Sequence, residues 1–221
     1  MQQDLKAFMA KAGKLLAVWL DVAPEHDEEF NAWYQYEHLQ QMTAKGQYVG
    51  GRRYIADHLY PKYLALYEIS DQTMQSGADD IKGPTPWTLR VRSMYGENRR
   101  RISYTRLAWA TNAGDPYGSV IYLIQGDAAA GRESEVRDWL EKNAELGLGV
   151  PGCTSARYYV ATEGQPKYLE LYEFSDAPSL RSRQWYRFLT GEERCPLASS
   201  LVNVIQQRYQ SIAAPYLRPG A

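Results

Sequence analysis

The chain has 221 residues, which is enough for one large domain or for two small ones of roughly 100 residues each. Its formal net charge of −1 argues against a nucleic-acid-binding protein, whose binding face would be basic. No stretch approaches the ~18 consecutive apolar residues of a membrane span, and no targeting segment is visible. The two cysteines, Cys153 and Cys195, have neither metal-ligand nor disulfide spacing. We therefore expect a cytoplasmic protein with no nucleic-acid or membrane partner.

Hydrophobic periodicity and turn residues predict the same order of elements in each half of the chain. Residues 1–13 predict an amphipathic helical extension. The first half is predicted as a strand over 15–22, a helix from Pro24 to about Lys45, strands over 50–57 and 62–69, a weaker helix over 72–80, a short segment of uncertain type from Trp87 and a strand over 101–109. The second half is predicted as a strand over 119–125, a helix over 132–146, strands over 153–161 and 167–174, a helix from Asp176 and a strand over 201–212.

The two halves also share residues, not only the order of their elements. Pro61–Asp71 and Pro166–Asp176 are identical at nine of eleven positions and lie 105 residues apart. Three further pairs match: Arg52 with Arg157, Tyr54 with Tyr159 and, after one residue of slippage, Trp33 with Trp139. An offset close to half the chain length predicts a duplicated domain, not a short-period repeat protein.

The order β-α-β-β-α-β is that of the ferredoxin-like fold, in which both helices cover one face of an antiparallel sheet. The uncovered sheet face of such a half is apolar, so two copies in one chain can pack these faces together. We therefore predict an α+β protein with two ferredoxin-like halves packed sheet to sheet as an α+β barrel. The predicted partition is an extension over 1–13, a first half over 14–110, a linker over 111–118 and a second half over 119–215.

The segment Phe30–Leu39, with the pattern F-x-x-W-Y-x-x-E-H, resembles the first helix of the dimeric α+β barrel superfamily in its EthD-like branch. The strands that follow are also similar, and the resemblance extends over both halves as a tandem, single-chain form. It implies an α+β barrel. The superfamily includes cofactor-free monooxygenases, polyketide cyclases, lactone isomerases, dehydratases and haem-binding enzymes, so the resemblance specifies the fold more than the reaction.

The first helix carries a Glu-His pair that the second helix lacks. At 100° per residue, Glu37 falls at the centre of the face that meets the sheet, and His38 flanks it. A carboxylate in that position must be paired, hydrogen-bonded or protonated. The matching positions of the second helix are Asn143 and Ala144, so a pair needed only for folding should not have been lost there. The asymmetry predicts a site in the first half, although Glu37 and His38 could instead cap strand ends or bond to Arg52.

We predict His38 as a general acid/base and Glu37 as its orienting or proton-sharing partner. The abundance of tyrosine and tryptophan, 18 and six residues against four phenylalanines, fits either aromatic strands or a cavity for a flat ligand. Arg52 recurs in the second half and could be structural, whereas His58 has no counterpart. The predicted substrate-binding residues are Trp33, Tyr34, Arg52, Tyr54 and His58.

These residues predict a cofactor-independent lyase, isomerase or cyclase that acts on a small aromatic or phenolic substrate. A cofactor-free monooxygenase and a non-catalytic carrier or stress protein are the alternatives. No metal site is expected, because Glu37, His38 and His58 lack the spacing of metal ligands on a helix. No cofactor is predicted; a haem held by His38 or His58 is an alternative. The protein is expected to be a monomer with an internal pseudo-dimer or a homodimer.

Overall fold

The structure, a computed structural model, describes residues 9–45, 47–56, 61–70, 83–95, 99–112 and 116–217. It contains two compact units. The first unit holds the described residues of Ala7–Arg101 and Ile212–Ala221, and the second holds those of Ile102–Ser211. None of the helices in these described ranges has the length and apolar character that crossing a bilayer requires.

The first unit has a three-stranded antiparallel core sheet with helices on one face. The three strands of this sheet are β1 (Lys14–Leu20), β2 (Tyr48–Ala56) and β3 (Tyr63–Ile69). The unit also contains the first residues of β4 (Arg99–Thr111) and the helices α1 (Asp27–Trp33), α2 (Leu39–Ala44) and α3 (Pro86–Tyr95). β3 lies between β1 and β2, and the short strand Tyr216–Leu217 pairs with the outer side of β2. Leu16, Val18 and Leu20 alternate along β1 and pack against the helices, as their spacing predicts.

The first helix is not the single α-helix that the sequence predicts from Pro24 to Lys45. It begins with a tight turn at Pro24–His26, continues as α1, and then widens into one π-helical turn over Tyr34–His38 before α2. In this π turn the backbone N–H of Leu39 donates to the carbonyl of Tyr34, five residues earlier. The π turn changes which side chains face the sheet beyond Trp33.

The second helix of the first unit is α3, which the sequence left as a segment of uncertain type. Pro86 occupies its first turn, where the missing N–H of proline costs nothing. The weaker helix predicted over 72–80 lies outside the described residues. Most of the predicted extension over 1–13 lies there too, and of its described part residues 9–11 are helical.

The second unit is a five-stranded antiparallel sheet with four short helices. Its strands follow the order β4-β6-β7-β5-β8. The remaining elements are β5 (Val120–Ala128), α4 (Glu133–Lys142), α5 (Ala144–Leu148), β6 (Cys153–Ala161), β7 (Tyr168–Phe174), α6 (Arg183–Thr190), α7 (Cys195–Ser200) and β8 (Leu201–Ser211).

Both halves of the sequence therefore run β-α-β-β-α-β, and the α+β, ferredoxin-like fold class is confirmed. β4 lies in the predicted first half, but from Ile102 onward it belongs to the second unit and pairs with β6 over Tyr104–Thr111. The compact units and the predicted sequence halves are thus divided at different residues.

Candidate functional site

A cavity of about 400 Å³ lies in the first unit between the π turn, α3 and the sheet. Its volume is within the range of roughly 300–1,000 Å³ that is typical of small-molecule sites. Apolar and aromatic side chains form most of the wall, and four cations contribute to it, whereas no described lining residue is acidic. The aromatic residues of the wall are Trp33, Tyr34, Tyr48, Tyr67 and Tyr95, and the cations are Lys45, Arg92, Arg99 and Arg101.

His38 lies on the cavity wall because of the π turn. Its imidazole stacks on the indole of Trp33, with ring centroids 4.3 Å apart and an angle of 20° between the planes. Residues five positions apart in a regular α-helix point about 140° away from each other, so this stacking requires the wider turn. Tyr34 meets the imidazole edge-on at 4.9 Å. The π turn thus gives His38 the inward position that a regular helix would give Glu37.

The imidazole of His38 is neutral over the physiological pH range. Burial is the main cause that lowers its pKa, and the positive charges of Lys45, Arg92, Arg53 and Arg99 act in the same direction; together they bring it from 6.5 to about 3. Its Nδ1 is buried and has no hydrogen-bond partner among the described residues. A group that titrates so far from pH 7 is poorly suited to general acid/base catalysis. It remains able to form a hydrogen bond to a ligand.

Glu37 joins the first helix to the start of α3. Its Oε1 accepts hydrogen bonds from Thr85 Oγ1 at 2.6 Å, Thr88 Oγ1 at 2.9 Å and Trp33 Nε1 at 3.1 Å. Burial raises the pKa of this carboxyl, but the hydrogen bonds outweigh burial and hold the pKa below its ordinary 4.5. Glu37 is not among the residues that line the cavity. Its geometry is that of an ionised structural anchor that also fixes the indole of Trp33.

Two tyrosines and a buried arginine form a second group at the same wall. Tyr67 donates a hydrogen bond from its hydroxyl to that of Tyr34 at 2.8 Å. Burial raises the pKa of Tyr34 to about 12, although the hydrogen bond from Tyr67 and the charge of Arg53 act in the opposite direction. The Arg53 guanidinium lies 4.5 Å from the centroid of the Tyr34 ring and donates to Asn31 Oδ1 at 2.5 Å. It therefore supports Tyr34 from behind, outside the cavity lining.

The structure brings together three of the predicted site residues, Trp33, Tyr34 and His38, at the cavity wall. Arg52 and Tyr54 are buried but do not line the cavity. They alternate with Arg53, which packs against the helices, so they occupy the opposite face of β2. The fifth predicted binding residue, His58, lies outside the described residues.

The prediction omitted the cations of the cavity wall. Arg99 and Arg101 are two positions apart in β4 and therefore share one face, whereas Arg100 lies on the other face, 4.1 Å above the ring of Trp19. This alternation was readable from the sequence once 99–101 was recognised as a strand. Arg92 belongs to α3, whose secondary structure was left undecided.

The described residues of the second unit do not repeat these features. Where the first helix has its π turn, the second is interrupted at Asn143, between α4 and α5. Trp139, the counterpart of Trp33, donates its indole N–H to the backbone carbonyl of Glu193 at 3.1 Å. The second unit has an open cavity of about 660 Å³, but it lies near Asp127 and Tyr168, where the surrounding charges are mixed. Of these two cavities, formed by described residues, the aromatic and cation-lined one belongs to the first unit.

Buried polar groups occupy the interior of the second unit. Glu170, at the position of Ala65, forms a buried ion pair with Arg194 and accepts a hydrogen bond from Tyr172 at 2.6 Å. The Tyr172 hydroxyl is also 2.9 Å from that of Tyr158. The small side chain of Ala65 leaves the first unit without such a cluster.

The described residues contain no group of three or more His, Cys, Asp or Glu side chains placed to hold a metal ion. His38 is the one histidine that the described cavity lining includes. The lining thus offers a single imidazole and no carboxylate, a donor set that does not fit a metal site of several protein ligands.

No family model and no curated protein matches this chain. Several solved structures match nearly its whole length. A proposed monooxygenase from Lactobacillus acidophilus NCFM is 11% identical, with a TM-score of 0.63 over 93% of this chain and 96% of the other. A proposed monooxygenase from Fusobacterium nucleatum is 9% identical, with a TM-score of 0.64 over 94% and 95%.

An anthrone oxidase-like protein is 10% identical, with a TM-score of 0.64 over 94% of this chain and 93% of the other. At such low identities the likeness shows the fold alone. The chain is similar to these proteins in its fold, which is of the α+β barrel class that the sequence predicts.

Proposed function

We propose that this protein is an enzyme that oxygenates a small, electron-rich aromatic molecule, such as a phenol or an anthrone-like ketone, in the cavity of the first unit without a bound cofactor. The observation that carries the proposal is the composition of the cavity wall: stacked aromatic rings and four cations, with no described acid. Such a wall favours a flat ligand in its anionic form. The printed names of the similar structures, two proposed monooxygenases and an anthrone oxidase-like protein, support the same reaction.

In the proposed reaction the substrate itself supplies all the electrons. The bound phenol or ketone loses a proton to solvent and becomes a phenolate or enolate, because nearby positive charge lowers its pKa. Its carbanion form transfers electrons to O₂ and forms a C–O bond, which gives a hydroperoxide. Loss of water then converts the original CH₂ group into a carbonyl, so that one O₂ yields one C=O and one H₂O. No external reductant is required.

The protein's own side chains would bind and orient the substrate. Trp33 and the stacked His38 would form the flat contact surface, and the neutral imidazole would hold a substrate oxygen by a hydrogen bond. Tyr34 and Tyr67 would extend the aromatic wall. Glu37 would act indirectly, by fixing the indole of Trp33.

The pKa values of the site favour oxygenation over the lyase, isomerase or cyclase reaction that the sequence predicts. Those reactions depend on a group that gains and loses a proton near neutral pH. The pKa of His38 is about 3 and that of Tyr34 about 12, so neither fits that requirement. Oxygenation requires only that the substrate anion is stabilised and that water is excluded.

A non-catalytic carrier is the competing function, because an aromatic cavity can bind a ligand without changing it. Incubation with 1,8-dihydroxyanthrone distinguishes the two functions. An enzyme should consume O₂ and form the quinone, which should contain one ¹⁸O atom when the reaction runs under ¹⁸O₂. With a carrier, the ligand should only quench tryptophan fluorescence. Binding with no oxygen uptake above the spontaneous rate would contradict the proposal.

Variants identify the site. His38→Ala should lower turnover by about 10- to 100-fold, because misplacement of a bound substrate costs up to that much. Asn143→Ala, at the matching position of the second helix, should retain wild-type turnover. The cofactor-independent reaction further predicts a purified protein without a flavin or haem absorption band and with full activity after chelator treatment. Loss of activity on chelator treatment that added iron restores would exclude a cofactor-independent reaction.

The proposal also includes a closer relationship: a tandem-duplicated member of the EthD-like branch. The repeated segments and the Phe30–Leu39 pattern support it. Relatives that carry a single half and form their barrel as dimers would support the duplication. Relatives in which the two halves diverge from separate families would contradict it.

A further inference from the structure

The four cations of the cavity are gathered at its mouth. Lys45, Arg92, Arg99 and Arg101, which we term the cationic rim, come from the end of the first helix, from α3 and from the start of β4. All four are solvent-exposed, whereas the tryptophan below them is 1% exposed. None of the four forms an ion pair with another described residue. The cavity is therefore apolar inside and positive at its entrance.

The rim acts on the interior of the cavity. The positive charges of Lys45, Arg92 and Arg99 contribute to the low pKa of His38, after burial as the main cause. This gathering of positive charge occurs in a chain whose net charge is −1, so it does not reflect a general excess of basic residues. Four cations around one opening, none of them paired with an acid among the described residues, favour an anionic group at that position.

We infer that the substrate is an aromatic acid, which inserts its ring against Trp33 and His38 and leaves a carboxylate at the cationic rim. This inference rests on the proposed function and adds the substrate class and its orientation. Arg99 and Arg101 extend from one face of a strand, two positions apart, and an arginine pair so spaced can bind the two oxygens of a carboxylate. The orientation places the reactive ring carbons in the interior, away from solvent.

Two matched probes test the inference: 2-naphthoate and its neutral amide, 2-naphthamide. They have the same ring and nearly the same shape and differ in the charge of one group. Titration calorimetry and tryptophan quenching should show the carboxylate binding about tenfold more tightly than the amide, since each exposed ion pair contributes modestly. The preference should diminish at high salt, because the rim is exposed.

In the double variant Arg99→Gln/Arg101→Gln, the carboxylate should bind about as tightly as the amide, and the affinity for the amide should be unchanged. Arg90→Gln is the matched control, because Arg90 lies on the same helix as Arg92 but outside the cavity, paired with Glu29. If the double variant fails to fold, Arg92→Gln and the salt dependence of the wild type provide the same comparison.

Equal affinity for the two probes would overturn this inference. It would leave intact the proposed oxygenation of an aromatic substrate that carries no carboxylate. A carboxylate preference that persists in the double variant would overturn the assignment to the rim. Failure of both probes to bind would contradict an aromatic site in this cavity and the proposed function with it.

Discussion

Replacement of His38 by glutamine should make the stability of the protein less dependent on pH. In the folded protein the imidazole has a pKa of about 3, against 6.5 for an ordinary histidine. Because the pKa of His38 is lower in the folded protein than in the unfolded chain, the contribution of the neutral imidazole to stability is complete above pH 6.5. This contribution is lost as the pH falls towards 3. Between pH 7 and pH 5 the wild type should lose about 2 kcal/mol from this histidine alone, since only the unfolded chain takes up the proton.

Urea unfolding at pH 7, 6 and 5 measures this effect. His38→Gln should be less stable than the wild type at pH 7, where it loses the stacking on Trp33, but the difference should shrink or reverse at pH 5. His38→Phe keeps a stacked ring without a titrating group, so it should show the same weakened pH dependence. If both variants lose stability between pH 7 and pH 5 as steeply as the wild type, the imidazole is not held neutral in the folded protein.

Three further changes test the packing around and opposite the site. Glu37→Ala should lower the free energy of unfolding by about 2–3 kcal/mol at pH 7, because three hydrogen bonds are lost. The loss should be smaller below pH 4.5, since the pKa of this carboxyl is lower in the folded protein, and urea midpoints that differ from the wild type equally at both pH values would contradict this. Arg194→Met should cost about 3–5 kcal/mol by leaving Glu170 buried without its ion-pair partner, and the double change with Glu170→Met should recover most of it in thermal denaturation. Gly51→Ala should lower the free energy of unfolding by about 1–3 kcal/mol, because the added Cβ would lie 2.9 Å from Leu39 Cδ2. An unchanged melting temperature would show that α2 can move away from the sheet.

The strands of this protein could be predicted because their residues alternate. Leu16, Val18 and Leu20 fall on one face in the sequence and pack against the helices in the structure. The repeated Pro-Lys-Tyr-Leu segment begins the third strand of each half, and the structure contains both strands, β3 and β7. Ala17 and Trp19, on the other face of β1, are buried as well, so the alternation separates two buried faces and the short apolar run itself also indicates a strand.

The candidate site was only partly predictable. The face of a helix is assigned at 3.6 residues per turn, and the π turn breaks that period after Trp33, so His38 takes the inward position expected for Glu37. Arg52 and Arg53 are adjacent, and composition alone cannot decide which of them faces the helices. That choice depends on the pairing of β2 with β3, which is a tertiary interaction.

The π turn also has a counterpart in chain length. Trp33 precedes Arg52 by 19 positions, whereas Trp139 precedes Arg157 by 18. A π turn holds one residue more than an α turn between the same hydrogen-bonded ends. The extra residue of the first half lies between Trp33 and Arg52, an interval that contains the π turn. One additional residue within a helical turn is enough to place an imidazole instead of the preceding carboxylate against this cavity.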